Sequence, residues 1–469
     1  MPIFIYICIF IFLAQVFHYW PHVTDDAFIF FRYADHFAEG EGLRWNLDGK
    51  AVEGFSSPLW VLILGGLQWI HLDMIVGAKL LGMMSILSTW GLMLYIFYQE
   101  ACRDFLPILV FLCLGNLYYW SLSGMETGLY TFLLLGSACA LQYRWCAIFL
   151  PLMALARPEG FFILIVMSFT WWIYSRKSRT DLIWIWIIPL SYFIFRIGYY
   201  HDVLPNTYYA KVGAPLLSRI STGGPYTLTV LLSLIPCYWG VRKSINPIVL
   251  GLGIVLLLEL ILVLLGGGDW MNWGRLLIPM FPIVFVLLMI GSKNHRYLLI
   301  TLLLFVPFLT PWKAWLAIGK GKTLPIAGFQ EGSLYQSSQT IAMDIQKHLP
   351  KGGVIAINHA GFLPYYLPKH HFVDMTGLND WYIAHEVTGG LHQKHDADYV
   401  LSHKPDLIVF NSLLKPTQKN LNLQYWEGET ALLEHQNFQS HYKPTPGFYE
   451  RIRYGGGKAY IVLFYRKTD

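Results

Sequence analysis

The sequence predicts a polytopic α-helical membrane protein that carries a small α/β domain at its carboxyl-terminal end. Of the 469 residues, 55% are hydrophobic and only 13% are charged, which is too little charge for the surface of a soluble protein of this size. Aromatic residues make up 16%, and many lie at the ends of apolar runs, where the lipid headgroup region favours them. After about residue 320, the long apolar runs give way to runs of strand length.

Apolar runs long enough to cross a bilayer, or nearly so, follow one another through the first 319 residues. The run at 58–70 is too short for a comfortable crossing, and we expect an interfacial or re-entrant helix there. Residues 1–20 lack a basic amino-terminal region and a small-residue cleavage site, so we expect a retained first span. The candidate spans lie at roughly 3–20, 75–98, 105–122, 128–143, 146–156, 160–174, 182–199, 225–241, 246–265, 276–292 and 297–317.

Basic residues between the spans indicate the orientation of the chain in the membrane. With 58–70 not crossing, every compact basic cluster falls on one side, which the positive-inside rule makes cytoplasmic. These clusters are Arg103, Arg144, RKSR (176–179), Arg242 with Lys243, and KNHR (293–296). We therefore expect about eleven spans, with the amino terminus inside and the carboxyl-terminal domain outside. The net charge of +5 lies in short loops, so it indicates topology and not nucleic-acid binding.

The predicted domains are a membrane domain at 1–319, whose first outer loop is 21–74, and an outer α/β domain at 320–469. The outer domain alternates a helical segment, SSQTIAMDIQKHL (337–349), with short apolar runs. Its histidines and the six cysteines upstream show no metal-ligand spacing, so we interpret them as structural. The expected strands are VIAI (354–357), FVD (372–374), DLIVF (406–410) and YIVLF (460–464).

Acids and unusual polar groups concentrate in the loops that this topology places outside. The inward loops hold little except lysine and arginine, so we expect any chemistry on the outer face. The outward motifs are TDDAFIFFRYADHF (24–37), VEGFSSP (52–58), SGMETG (123–128), ARPEG (156–160), HDVLPNTYYAK (201–211) and GGGDWMNWGR (266–275).

The first of these motifs reads as a helix along the membrane surface. Thr24 or Asp25 can cap its start. Asp25, Arg32 and His36 share one face, whereas Asp26 points about 100° away, on an aromatic face. A capped amphipathic helix with an Asp–Arg pair explains this stretch as well as a catalytic site does.

ARPEG interrupts an apolar stretch with an arginine, a proline and a glutamate. Because proline removes a backbone hydrogen bond, two half-length helices are expected to meet here at a polar cavity. Arg157 can bind a phosphate as an always-charged donor fork, and intramembrane charges are functional by default. The alternative is an Arg157–Glu159 ion pair that neutralises itself.

The remaining outward loops supply the other candidate groups. Trp270 and Trp273 can stack on a sugar or serve as ordinary interfacial residues. Asp269 and Arg275 can pair with each other or bind substrate, and Lys211 offers a cation. The candidate substrate-binding residues are Glu53, Glu126, Glu159, Asn206, Tyr208, Asp269 and Trp270.

The motifs, taken in order, resemble one family of bacterial membrane glycosyltransferases, the GT-C class that uses polyprenyl-phosphate sugars. Within it, the sequence is most similar to the terminal arabinofuranosyltransferases of mycobacterial cell walls and their relatives. The resemblance runs from about residue 24 to residue 410. It rests on TDDAFIFFRYADHFAEGEGLRWN, VEGFSSPLW, SGMETGLY, ARPEG, LPNTYYAK, GGGDWMNWGRLLIP and DMTGLND (374–380).

The resemblance implies a polyprenyl-phosphate sugar donor, an envelope glycan or lipid acceptor, and transfer on the outer face of the bacterial cytoplasmic membrane. GT-C enzymes place an acid in the first outer loop, where Asp25 and Asp26 stand. We expect Asp25 to be the base, because it shares a helix face with Arg32, and Asp26 to orient the site. The departing phosphate needs cations, for which the candidates are Arg32, Arg157, Lys211 and Arg275.

Two further points stay open at the level of sequence. Some GT-C relatives use a divalent metal, but no compact ligand spacing here assigns one. A transporter or flippase for lipid-linked saccharides is the main alternative, although we see neither an inverted repeat nor functional polar groups on both faces. A non-catalytic assembly or sensor protein is a third possibility.

Overall fold

The structure is a computed structural model. It describes residues 2–102, 104–175, 179–211, 213, 215–242, 246–269, 271, 273–291, 305, 327–390, 393–412, 415, 427–452 and 458–467. Trp270 lies outside the described residues, as does the expected span at 297–317 apart from Phe305.

The first 291 residues are helical wherever an apolar run was found. Described helices of membrane-crossing length and composition are Met74–Gln99, Leu182–Tyr200, Leu216–Trp239 and Pro247–Gly266. The helices are α1 (Pro2–Tyr19), α2 (Asp25–Ala38), α3 (Pro58–Trp69), α4 (Met74–Gln99), α5 (Leu106–Cys113), α6 (Gly115–Ser121), α7 (Thr127–Ala138), α8 (Phe149–Ala156), α9 (Pro158–Ser175), α10 (Arg179–Tyr200), α11 (Asn206–Lys211), α12 (Leu216–Val241), α13 (Pro247–Gly266) and α14 (Phe281–Gly291). Short 3-10 helices, Arg144–Ile148 and Arg275–Met280, precede α8 and α14. The total of about eleven spans remains a prediction.

Two local features of the sequence correspond to helix boundaries in the structure. The run at 58–70 forms α3, which has 12 residues and is too short to cross a bilayer unaided. The ARPEG motif separates α8 from α9, so that Arg157 stands between two helices in extended backbone. Pro158 begins α9, a position where its missing N–H leaves no hydrogen bond unmade.

Loops assigned to the same side of the membrane meet in the structure. The Thr24 N–H donates to the carbonyl of Ser123 at 3.0 Å, near the beginning of α4. At the other end of α4, Tyr143 and Asn246 both donate to the Glu100 carboxylate, at 3.0 and 3.2 Å. An α-helix rises about 1.5 Å per residue, so the 26 residues of α4 separate these two groups of loops by most of a bilayer.

The carboxyl-terminal part is a mixed sheet with helices. Strand order is β2-β1-β3-β6-β4, with β5 also paired to β6. β1 is parallel to β2 and β3, and β6 is antiparallel to its neighbours. The strands are β1 (Val354–Ile357), β2 (His371–Asp374), β3 (Leu407–Ser412), β4 (Tyr442–Pro444), β5 (Tyr449–Ile452) and β6 (Lys458–Arg466). The helices are α15 (Ala327–His348), α16 (Phe362–Tyr366), α17 (Trp381–His385), α18 (Ala397–Ser402), α19 (Glu427–Glu434) and α20 (Gln436–His441).

The sheet is buried on both faces, which explains its uninterrupted apolar runs. Side chains alternate along a strand, so Ile408 and Phe410 of β3 face the helices of the carboxyl-terminal part itself. Leu407 and Val409 face the other way and share a core with α2 and α3. The membrane-proximal helix α2 is thus covered by the sheet.

Candidate active site

Asp26 lies in the first turn of α2 and is the first residue of the candidate site. It is half-buried, and neither of its carboxylate oxygens has a hydrogen-bond partner among the described residues. Burial raises the pKa of Asp26, while the positive charges of Arg275 and Lys211 lower it again in part. Asp269 and Glu126 also lie close enough to raise that pKa. These five groups come from four separate segments, since Asp269 and Arg275 belong to one loop, and they lie close enough to influence one another electrostatically.

Arg275 is oriented by an aspartate from its own loop. Its Nε lies 2.7 Å from Asp269 Oδ2, and both side chains are at least nine-tenths buried. The backbone reverses at the end of α13, where Gly267 has a φ of +88°, a conformation that favours glycine. The Nη1 atom of Arg275 lies 3.6 Å from the sulfur of Met125, a weak acceptor that a phosphate oxygen could replace.

Lys211, the last residue of α11, contributes the second cation. Its side chain is exposed, and within the described part of the chain no acceptor lies at hydrogen-bonding distance from it. Surrounding protein and the charge of Arg275 lower the pKa of Lys211, whereas Asp26 and Asp269 raise it. The exposure of Lys211 beside these charged groups indicates that solvent reaches this place. We call this place the crevice, defined by Asp26, Lys211, Asp269 and Arg275.

Arg157 borders the crevice but is fully engaged. Its Nη1 donates to Glu126 at 2.8 Å, and its Nε and Nη2 donate to Glu159 at 3.3 and 3.2 Å. The side chains of Arg157 and Glu126 are 10% and 1% exposed. The Arg157–Glu159 pair considered from sequence is therefore present, with Glu126 as an additional partner. One cation faces two carboxylates, so this group has no positive charge to spare for a phosphate.

Arg32, expected to bind the donor phosphate, is not brought to the crevice. It is buried, and its guanidinium donates to the backbone carbonyls of Trp45, Pro364 and His370. Burial lowers the pKa of Arg32 to about 9. Its contacts tie α2 to the carboxyl-terminal sheet, which is a structural role.

Asp25, the expected base, faces the carboxyl-terminal part instead of the cations. Its Oδ1 accepts a hydrogen bond of 2.9 Å from the backbone N–H of Phe362. The angle between neighbouring residues of a helix thus separates the two aspartates, as the sequence predicts. Of the two aspartates, it is Asp26 whose pKa is influenced by the charges of Arg275 and Lys211.

Three other sequence candidates lie outside the crevice. Glu53 accepts from Arg196 at 3.1 Å and from Tyr192 at 2.7 Å. Asn206 donates to the carbonyls of residues 377, 378 and 380, so it fixes the DMTGLND loop. Tyr208 is 46% exposed beside Tyr209.

Two buried ionisable residues of the helices were not singled out from the sequence. Glu259 of α13 accepts a 2.9 Å hydrogen bond from Tyr130, whose ring lies beside Arg157. Lys79 of α4 donates to the carbonyls of His22 and Leu122. Each is an ionisable residue within an otherwise apolar run. This pattern could have identified both residues from the sequence.

Within the described residues, no three His, Cys, Asp or Glu side chains are grouped so that they could hold a metal ion.

Comparisons with known proteins concern the fold. A family model described as "Domain of unknown function (DUF8728)" matches residues 328–465. No curated protein matches the chain. Among solved structures, ArnT from Cupriavidus metallidurans bound to undecaprenyl phosphate is similar, with a TM-score of 0.58, 13% identity, and coverage of 98% of this chain and 97% of that one. The apo state of the same protein gives a TM-score of 0.56 and 12% identity at the same coverage. The fold of the chain is therefore similar to that of ArnT.

Proposed function

We propose that this protein is a membrane glycosyltransferase. It transfers a sugar from a polyprenyl-phosphate donor to an envelope glycan or lipid acceptor, on the outer face of the cytoplasmic membrane. The proposal is supported by a carboxylate without hydrogen-bond partners among the described residues, that of Asp26, close enough to Lys211 and Arg275 for their charges to lower its pKa. The similarity in fold to a protein solved with undecaprenyl phosphate bound supports a polyprenyl-phosphate ligand.

The crevice suits both halves of such a reaction. An acceptor hydroxyl attacks the anomeric carbon of the donor sugar, and its proton passes to Asp26 as general base. The bond between the anomeric carbon and the phosphate oxygen breaks, and its electron pair leaves with the polyprenyl phosphate. Lys211 and Arg275 stabilise the negative charge on that leaving group. Asp269 orients Arg275, and Asp25 and Arg32 have structural roles.

The proposal is tested with purified protein in nanodiscs and a panel of radiolabelled polyprenyl-phosphate sugars. We expect at least one donor to release free polyprenyl phosphate when an envelope fraction is added, in parallel reactions with Mg²⁺ and with EDTA. Translocation of the donor without release of polyprenyl phosphate would instead favour a transporter.

Replacement of Lys211 with methionine is expected to lower kcat/KM by about 10²–10³-fold, because one cation facing the leaving phosphate is lost. The pH profile gives a second readout. Lys211 lowers the pKa of Asp26, so its removal raises that pKa. Asp26 must be ionised to act as a base, and the acid limb of the profile is therefore expected to move to higher pH.

Matched variants make this result specific. Lys211→Arg keeps the charge and is expected to keep the acid limb in place. Lys369→Met removes an exposed lysine elsewhere and should leave both rate and profile unchanged. An acid limb that moves to lower pH in Lys211→Met would contradict the assigned electrostatics.

A further inference from the structure

The short helix α11 carries Lys211 at its carboxyl-terminal end and depends on the carboxyl-terminal part of the chain for its position. It has six residues, and an isolated helix of that length is not stable in water. The Asn206 amide attaches its first residue to the DMTGLND loop (374–380). The contacts at its other end therefore determine where the Lys211 side chain begins.

A buried lysine, Lys394, binds that other end. It is only 6% exposed, although it belongs to a loop, and its Nζ donates to the backbone carbonyls of Tyr209, at 3.1 Å, and Ala384. Tyr209 belongs to the last turn of α11, and Ala384 belongs to the last turn of α17. The last four carbonyls of an α-helix have no partner within the helix, so a lysine ammonium can satisfy them. Lys394 thus joins the carboxyl-terminal ends of two helices, one from each part of the chain.

Two further contacts bring the same parts of the chain together. The ring of Tyr209 packs on the imidazole of His385, the last residue of α17, with centroids 4.1 Å apart. Beyond α11, a Cβ on Gly213 would lie 1.9 Å from the carbonyl oxygen of Gly389. The carboxyl-terminal end of α11 is therefore packed closely against α17 and the loop that follows it.

The chemistry of Lys394 indicates a specific role for its ammonium. Burying an ammonium is costly unless acceptors replace the lost water, and among the described residues no carboxylate pairs with it. Lys211 follows Tyr209 by two residues, so a shift of the Tyr209 carbonyl also shifts the backbone of Lys211. Because no acceptor among the described residues binds the Lys211 ammonium itself, the backbone of α11 is what places this cation.

We propose that Lys394 is a positioning residue for sugar transfer, which fixes α11 so that Lys211 lies close to Asp26 and to the leaving phosphate. Lys394 acts through Lys211 and does not touch the reacting atoms. This inference rests on the proposed glycosyltransferase function. It gives the carboxyl-terminal part of the chain a role in forming the crevice, in addition to covering α2.

A double-variant cycle distinguishes this role from a general effect on stability. Lys394→Met is expected to lower kcat/KM by about 10–10²-fold, because a small displacement of a catalytic group can cost about 10²-fold. In protein that already carries Lys211→Met, the same substitution is expected to cost less than about threefold, because the cation that it positions is absent. Lys394→Arg keeps a cation that donates to carbonyls and is expected to recover most of the rate.

Hydrogen exchange of the full chain in nanodiscs measures the position of α11 without relying on catalysis. Amides of α11 are expected to exchange faster in Lys394→Met than in the wild type, and Lys211→Met is expected to leave their exchange unchanged. Asn46→Leu is the matched control, because Asn46 makes two hydrogen bonds to the backbone of Phe372 and thus joins another outer loop to the sheet. It should leave exchange in α11 unchanged.

Two results would overturn the positioning role. One is an equal loss of kcat/KM from Lys394→Met with and without the Lys211 ammonium, and the other is unchanged exchange in α11. If thermal unfolding shows that Lys394→Met does not fold, Lys394→Gln, which keeps a shorter neutral donor, replaces it in both experiments. A wild type that releases polyprenyl phosphate from no donor would instead overturn the proposed function, whereas an active wild type with equal losses overturns the positioning role alone.

Discussion

Asp26→Asn is expected to lower the rate of sugar transfer by about 10²–10⁴-fold, the range usually contributed by a positioned general base. The amide keeps the size of the side chain but cannot accept the proton of the acceptor hydroxyl. Because Arg275 and Lys211 remain in place, binding of undecaprenyl phosphate should persist or strengthen. The measurement is single-turnover release of polyprenyl phosphate, with donor binding recorded separately.

Asp25→Asn is the matched control, one residue away in the same helical turn. The asparagine oxygen can still accept the Phe362 N–H, so we expect less than a tenfold loss in the rate of sugar transfer. A greater loss for Asp25→Asn than for Asp26→Asn would reverse the roles that the geometry supports.

Arg157→Met is expected to lower the free energy of unfolding by about 3–5 kcal/mol, because it leaves Glu126 and Glu159 as uncompensated buried or half-buried carboxylates. The cost arises mainly from Glu126, whose side chain is almost completely buried. Thermal unfolding of the purified protein, followed by size-exclusion fluorescence, measures the change.

The double variant Arg157→Met/Glu126→Gln separates charge from packing. Glu126→Gln removes the uncompensated charge of the Glu126 carboxylate, so the double variant is expected to recover a substantial part of the lost free energy of unfolding. Recovery is incomplete because the glutamine no longer receives the hydrogen bond from Arg157. If Arg157→Met unfolds at the same temperature as the wild type, the ion-pair group contributes nothing measurable and Arg157 is available for another role.

Much of this architecture follows from local chemistry. Pro158 after a charged residue predicts the break between α8 and α9, and the glycines before Asp269 predict the sharp turn that returns Arg275 to its own aspartate. The strands β1 and β3 are visible as short apolar runs because both faces of the sheet are buried. By contrast, β4 ends at Pro444 and is mostly exposed, so it lacks any apolar pattern.

Sequence periodicity cannot identify contacts between residues that are far apart in the chain. The helical periodicity of α2 correctly places Asp25 and Asp26 on different faces of the helix. It does not predict which of these faces lies closer to Lys211 and Arg275. That depends on segments far along the chain: Phe362 binds Asp25, and the carbonyls of Pro364 and His370 receive Arg32. A shared helix face therefore favoured Asp25 and Arg32 as a catalytic pair, whereas each has a backbone partner more than 300 residues away.

The hydrophobic core shared by α2 and the sheet affects whether the carboxyl-terminal part can fold without α2. Phe28 packs against Phe362 and Tyr365, with ring centroids 4.3 and 5.3 Å apart. A fragment cut at residues 328–465 would lack α2, which would leave the rings of Phe362 and Tyr365 facing water and the carbonyls of Pro364 and His370 without the guanidinium of Arg32. We therefore expect expression of that stretch alone to favour aggregation over a soluble domain.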